Sequence, residues 1–313
     1  MLKALRYPEL KGFWEKYFGN FIKATNVFVK IPGTNALSQK VGDIIVSAHL
    51  DSKSQSFKTI WRIILARIWL YSEIFLFLFY IFFLVDYHFY EQINRFLEIL
   101  WEISIITGTI LVVVSNIFLL FLNIRNDSPG ALDNASGMSI IFELSSFFKS
   151  NPLHNFNLWF CQFSAEEIGT MGSRQFLDKY DKKFTKNYTY QINFDMVSIA
   201  NNKSNFIEYI KSYGIVPRKK ISPILNQYFI DSAETERVNY HGFHVSLGAH
   251  TDSIPFHLRK FDSIDITTRA AAKYTHSAED TPDKVDPQIL FDVYKVIRLL
   301  IQSLDKDYKK LIK

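Results

Sequence analysis

Between Ile103 and Leu122 the chain reads "ISIITGTILVVVSNIFLLFL", without one charged residue. Twenty helical residues reach about 30 Å, the thickness of the hydrocarbon core of a bilayer. A second apolar run, Ile68 to Val85, carries only Glu73. Between the two, "DYHFYEQINRFLEILWE" mixes charges with aromatic rings, which suits an interfacial turn. The pattern predicts a helical hairpin that enters and leaves a membrane on the same side, touching lipid through residues 60–122. The competing reading is a buried hairpin or an apolar lid. It fits less well, because a core helix of this length rarely lacks a polar face.

Outside this hairpin the chain reads as soluble. Its 313 residues are 48% hydrophobic and 21% charged, too polar for a protein that is mostly membrane. The net charge of +5 is diffuse, with no Arg/Lys stripe interleaved with aromatics, so nucleic acid is not an expected partner. The basic residues suit a solvated surface or one near anionic lipid. One cysteine, Cys161, excludes an intramolecular disulfide; within "LWFCQFS" it reads as a buried small hydrophobe. A fold of this size without disulfides suits a reducing compartment. The opening "MLKALRYPELKGFWEKYFGN" lacks an apolar core and a cleavage site, so no signal peptide is expected.

Residues 1–23 read as a short amphipathic helical lead-in. "NVFVKIPG" reads as a strand and turn, and residues 43–48 as a central strand. After Arg125, "NDSPGALDNASG" is a turn-rich loop and "MSIIFELSSFFKS" an amphipathic helix. "NFNLWFCQFS", "YTYQINFDMVSI" and "DSIDITT" read as strands. "SRQFLDKY", "KKISPILNQYFID" and "DPQILFDVYKVIRLLIQSL" read as helices. Strands alternating with helices predict an α/β layer fold. There is no internal repeat and no low-complexity tract.

Asp, Glu or His stands at a strand end, or in the loop after it, at five places: His49 with Asp51, Asp133, Glu166 with Glu167, Asp195, and His276. Ligands of α/β sheets bind beyond the carboxyl ends of strands. Carboxylates and imidazoles converging there would repel and desolvate one another without a cation. Mixed oxygen and nitrogen donors suit Zn²⁺, either one ion or two sharing a bridging carboxylate. A carboxylate left free beside them could act as general base on water. Each motif alone is weak: a Glu-Glu pair is usually solvated, and "GALDNASG" could be an Asx turn capping a helix.

Taken in order, "SAHLDS", "GALDNASG", "SAEEIGTMGS", "NFDM" and "THSAEDTPD" resemble the motifs of the zinc-dependent aminopeptidases of metallopeptidase family twenty-eight, relatives of bacterial leucyl aminopeptidases and glutaminyl cyclases. The resemblance covers residues 24–56 and 127–304 and leaves out the apolar insert. It implies a three-layer α/β/α fold around a mixed, mostly parallel sheet, and a peptide substrate cleaved at its N-terminal residue. It implies two Zn²⁺ ions. Asp133 would bridge them, His49 and Asp195 would complete one site, and Glu167 and His276 the other. Glu166 would be the base that activates the water held between the metals. Asp51 would orient the His49 imidazole, and Asp280 would play a similar supporting part. The peptide bond after Asp133 would be cis.

Two departures stand out. Family members carry a His shortly after a Ser-Asp in a late loop; here "GAHTDSIPF" has Ser253 at that place, with His241, His244, His250 and His257 nearby. Those four histidines read first as ordinary loop and surface residues. The second departure is the insert, which divides the chain into a discontinuous catalytic domain, residues 1–56 and 124–313, and an inserted transmembrane hairpin, residues 57–123. Lys53, Lys58, Arg62, Arg67 and Arg125 flank its base, whereas Asp86, Glu91, Glu98 and Glu102 stand against Arg95 at its tip. The positive-inside rule then expects a two-helix membrane protein with a cytoplasmic catalytic domain. The alternatives are another reaction on the same scaffold, cyclase-like or carboxypeptidase-like, and a binding domain without catalysis. By resemblance, the cyclases lack the first His and binding relatives have lost ligands; this chain keeps His49, the other four ligands and Glu166.

Overall fold

A computed structural model describes residues 23–36, 40–89, 95–120, 123–200, 206–214, 219–245 and 251–311. The expected lead-in helix, the tip of the hairpin at 90–94 and His250 lie outside them.

The expected α/β layering is observed. An eight-stranded mixed sheet is built from β1 (Val27–Ile31), β2 (Gly42–His49), β5 (Phe156–Phe163), β6 (Thr189–Phe194), β7 (Ile207–Tyr213), β8 (Lys219–Lys220), β9 (Tyr240–Val245) and β10 (Asp262–Ile266). Its order is β1-β5-β2-β6-β10-β7-β8, with β9 beside β7. The centre, β5-β2-β6-β10, is parallel, and β1 runs antiparallel on the edge. Four strand ends therefore open on the same side of the sheet.

Alternation along the central strands separates the two faces. Ile44, Val46, Leu158, Phe160, Ile192 and Phe194 join one core with α3 (Ser136–Ser150), α5 (Pro223–Thr235) and α7 (Pro287–Lys306). Ile45, Trp159, Cys161 and Phe163 join a second core with α4 (Met171–Tyr180) and Phe256 of α6 (Ile254–Leu258). Helix α7 starts sharply because Asp286 caps the Gln288 amide at 2.9 Å and Pro287 occupies the first turn. Its Val293, Ile297, Leu300, Ile301 and Leu304 are fully buried. Each contributes about 1.5–3 kcal/mol of apolar burial.

Two local readings are corrected. Lys219–Lys220 pairs with β7, and the helix expected from there starts at Pro223, where proline fixes the first turn. Within the stretch expected as an interfacial turn, 86–102, the described residues 86–89 and 95–102 are helical. Here α1 (Thr59–Phe89) and α2 (Arg95–Leu120) run through it, since its charges fall among strong helix formers.

Helices α1 and α2 form the hairpin. A short ladder of β3 (Ser54–Gln55) and β4 (Ile124–Arg125) closes its stem. Both helices are long and apolar enough to cross a membrane, over Thr59–Val85 and Glu98–Phe118, with 6% and 11% of the residues in their apolar windows buried. They touch closely where Gly108 faces Leu76 and where Trp101 stacks on Phe79, centroids 5.0 Å apart. Outward they expose Trp61, Phe77, Phe82, Ile103 and Ile106.

Candidate metal centre

The loops after β2, β5, β6 and β10, with the turn before α3, bring the predicted residues together. His49 is the last residue of β2, and Asp195 follows β6 directly. Glu166 and Glu167 lie in the loop after β5, and His276 follows the 3-10 turn after β10. The backbone is shaped for this. Ala165 (φ 58°), Met196 (φ 51°) and His276 (φ 60°) are left-handed non-glycine residues at or beside site residues, a conformation that clusters at functional sites. The turn at Asp133 needs Gly130, whose φ is 70° and whose absent Cβ would lie 2.8 Å from the Ser52 Cβ. The Asp133–Asn134 peptide bond is cis.

Asp133 stands in the middle. Its Oδ1 lies 3.1 Å from His49 Nε2, and its Oδ2 lies 3.1 Å from His276 Nε2. Asp195 Oδ1 is 3.7 Å from the His49 nitrogen, and Glu167 Oε1 is 3.1 Å from the His276 nitrogen. Two triads result, His49–Asp133–Asp195 and Asp133–Glu167–His276, sharing one carboxylate. All five residues are buried or nearly so.

The donor set fits zinc. Bonds of about 2.0–2.1 Å to a tetrahedral ion put neighbouring donors roughly 3.3 Å apart, close to the spacings here. His49 Nε2 and Glu167 Oε1 are buried without a hydrogen-bond partner, so both are directed at something other than protein donors.

Both imidazoles are oriented by their far nitrogens. His49 Nδ1 lies 2.9 Å from the Asp51 carbonyl oxygen. Asp51, expected to orient this ring, meets it through its backbone carbonyl; its carboxylate is 3.8 Å away and accepts from the backbone amides of Glu166 (3.1 Å) and Glu167 (3.2 Å). Asp51 thus ties the first strand end to the Glu-Glu loop. His276 Nδ1 lies 2.8 Å from Thr59 Oγ1, in the first turn of α1. Asp280 accepts from the amides of Leu132 (2.6 Å) and Asp133 (3.2 Å) and so holds the central carboxylate's turn.

The charges act on one another strongly. Burial works against ionised Asp133, but the His276 and His49 imidazoles hold its carboxyl well below the usual range. Burial opposes protonation of His49 and His276, yet the carboxylates around them raise both. Burial lifts Glu166 well above its ordinary value and pushes Asp195 up to about 6. Glu166 therefore stands apart, a buried carboxyl in neither triad.

The sequence reading passed over several residues. Lys53 Nζ lies 2.9 Å from Glu167 Oε2 and donates to its carbonyl at 2.9 Å. Asp252 is buried beside the centre, and burial above all pushes its carboxyl up to about 7. A buried polar seam runs beneath, Gln191 to Ser47 to Asn193 to Asp265. Tyr213 and Ser253 donate to the far oxygen of Asp265. Ser253, the substitute for the family's His, therefore faces the seam. His241 is exposed on β9, His244 pairs with Ser212 at 2.9 Å, and the His257 ring lies against Tyr213. None of the three joins either triad.

A model of peptidase family M28 matches residues 115–301. Aminopeptidase YwaD of Bacillus subtilis is 26% identical over 190 residues, covering 58% of this chain and 39% of that protein. The crystal structure of BSAP, a zinc aminopeptidase from Bacillus subtilis, superposes with a TM-score of 0.54 at 17% identity, over 89% of this chain and 49% of that one. A glutaminyl cyclase from an Acidobacteriales bacterium superposes with a TM-score of 0.53 at 15% identity, over 90% and 74%. The chain thus spans less than half the length of these two Bacillus subtilis aminopeptidases, and the structural likeness is one of fold.

Proposed function

The chain belongs to peptidase family M28, and from that premise we propose that it is a membrane-anchored dizinc aminopeptidase. One observation carries the reading: the two oxygens of Asp133 face two separate imidazoles at 3.1 Å, with Asp195 and Glu167 completing a triad on each side. His49 and Asp195 would hold one zinc, Glu167 and His276 the other, and Asp133 both. Zinc, when bound, supplies Lewis acidity toward a peptide carbonyl and makes water a stronger nucleophile near neutral pH.

The chain's own groups do the rest. The Asp51 carbonyl and the Thr59 hydroxyl would accept hydrogen bonds from Nδ1–H of His49 and His276, leaving both Nε2 atoms as lone-pair donors. Glu166 takes the proton of the attacking water and delivers it to the leaving amine. Burial raises its pKa above the ordinary carboxylate value, which makes its ionised form a stronger base toward water. Asp51 holds the backbone amide of Glu166 and so sets the base beside the ligands.

The hairpin is read as the anchor and as a unit inserted into a catalytic domain of residues 1–56 and 124–313. Its exposed apolar surface calls for lipid. Lys58, Arg62, Arg67 and Arg125 at its base and Glu98 and Glu102 near its tip support a cytoplasmic catalytic domain. Both ends of the hairpin leave from the rim of the metal centre, which favours peptides presented at the membrane surface.

Metal analysis of the purified protein, with a panel of aminoacyl fluorogenic substrates and a chelator, tests the reading. Two zinc equivalents and chelator-sensitive release of N-terminal residues are expected. One equivalent with cyclisation of N-terminal glutamine, or no turnover at all, would overturn it.

A further inference from the structure

The stem of the apolar hairpin touches the metal centre on one side only. Three residues between 53 and 59 reach the Glu167 and His276 pair. Lys53 Nζ sits 2.9 Å from Glu167 Oε2 and donates to the Glu167 carbonyl. The Gln55 amide donates to the His276 carbonyl at 3.0 Å. Thr59 Oγ1, buried at the start of α1, lies 2.8 Å from His276 Nδ1. His49 has no such tie to the stem; its far nitrogen is held by the next-but-one residue in its own loop.

The hydrogen-bond roles at Thr59 are consistent with only one tautomer of use. With a zinc held by Asp133 and Glu167, His276 Nε2, which faces both carboxylates at 3.1 Å, would give its lone pair to the ion and carry its proton on Nδ1. Nδ1–H then donates to Thr59 Oγ1. The Thr59 hydroxyl donates onward to the Thr275 carbonyl at 3.3 Å, and Thr275 Oγ1 donates to Thr59 at 3.0 Å. The threonine is fully used, and a hydroxyl at this position fixes both the ring's plane and its tautomer.

We propose, resting on the dizinc reading above, that Thr59 and Lys53 are positioning residues for the Glu167–His276 metal site. The hairpin is then a structural part of one metal site as well as an anchor. The first turn of the insert supplies Thr59 to this site, beside Lys53 and Gln55 from the adjoining end of the catalytic domain. Removing the insert together with Thr59 would leave the His276 imidazole without the hydroxyl that aims it, whereas a deletion that starts at residue 60 keeps it.

The test is zinc affinity of the full chain in detergent micelles, measured by competition with a chelating indicator. In a His49→Ala background, where Glu167 and His276 hold the remaining site, adding Thr59→Val lowers zinc affinity about 10–100-fold, and Thr59→Ser restores it. Lys53→Gln lowers it in the same background. In a His276→Ala background neither substitution changes the affinity. Equal affinity with and without Thr59→Val in the first background, at unchanged circular dichroism, overturns the proposal while the dizinc reading stands. A parent chain that binds no zinc overturns the dizinc reading itself. If Thr59→Val does not fold, Lys53→Gln decides by the same comparison.

Discussion

Asp280 holds Asp133 from behind: one carboxylate oxygen accepts from the Leu132 amide at 2.6 Å and the other from the Asp133 amide at 3.2 Å. The carbonyl of Asp280 also accepts from the Ala131 amide at 3.2 Å. Asp280 is fully buried, so no water replaces these bonds when the side chain goes. Asp280→Ala leaves two amides unpaired at a cost of about 1–3 kcal/mol for each buried group. Denaturant unfolding is expected to register a loss of roughly 2–6 kcal/mol for the two amides, together with weaker zinc binding, because the turn that carries Asp133 loses its support. Unchanged stability would mean that the turn at 131–135 holds itself.

Glu166 is buried next to both triads and belongs to neither. Glu166→Gln keeps the shape and removes the base. Turnover is expected to fall by about 10²–10⁴, the usual worth of a general base, with zinc content and KM little changed. Near-normal kcat in this variant would rule out Glu166 as the proton carrier.

Part of this centre was legible in the sequence because His49, Glu167 and Asp195 sit at or just beyond the ends of parallel strands, whereas Asp133 lies in the turn before α3 and His276 beyond a 3-10 turn. Strand-end position marks the acidic and imidazole cluster, but the choice of His49, Asp133, Glu167, Asp195 and His276 from within it comes from the resemblance of five ordered motifs to the family. Their supports are different. Thr59 reaches a residue 217 positions away and Lys53 one 114 positions away. Nothing local marks a threonine before an apolar run as a partner of an imidazole. β7 and β9 escaped for another reason: "IEYIKSY" and "YHGFHV" interleave charged or imidazole side chains with their apolar residues, which breaks the apolar runs by which the central strands announce themselves.

The hairpin offers a cleaner physical test than its sequence did. Its two helices pack on one another through Gly108 and Leu76 but leave their outer faces uncovered. Replacing residues 60–123 by a short Gly/Ser loop keeps Lys53 and Thr59. The shortened chain is expected to move from the membrane fraction to the soluble fraction. A shortened chain that still sediments with membranes would place the anchor elsewhere. Protease accessibility of the parent chain in sealed vesicles separately reports the side on which the catalytic domain lies.

His257 gives a prediction about acid that does not involve the metal centre's ligands. Its ring lies against Tyr213, centroids 5.9 Å apart, and its Nε2 is buried without a partner. Burial lowers its pKa below the ordinary value, and the nearby Asp265 carboxylate only partly offsets this. The unfolded chain, with an imidazole pKa of about 6.5, therefore takes up a proton before the folded one does. The stability linked to this group is fully present above that pH and is lost as pH falls toward the depressed folded value. His257→Gln removes the titration and keeps a polar side chain of similar reach. The thermal midpoint of the parent is expected to drop more steeply than that of His257→Gln between about pH 7.5 and pH 5.5. Parallel curves for the two proteins would mean that the ring gains a compensating partner on protonation, and Asp265 is the carboxylate placed to provide it.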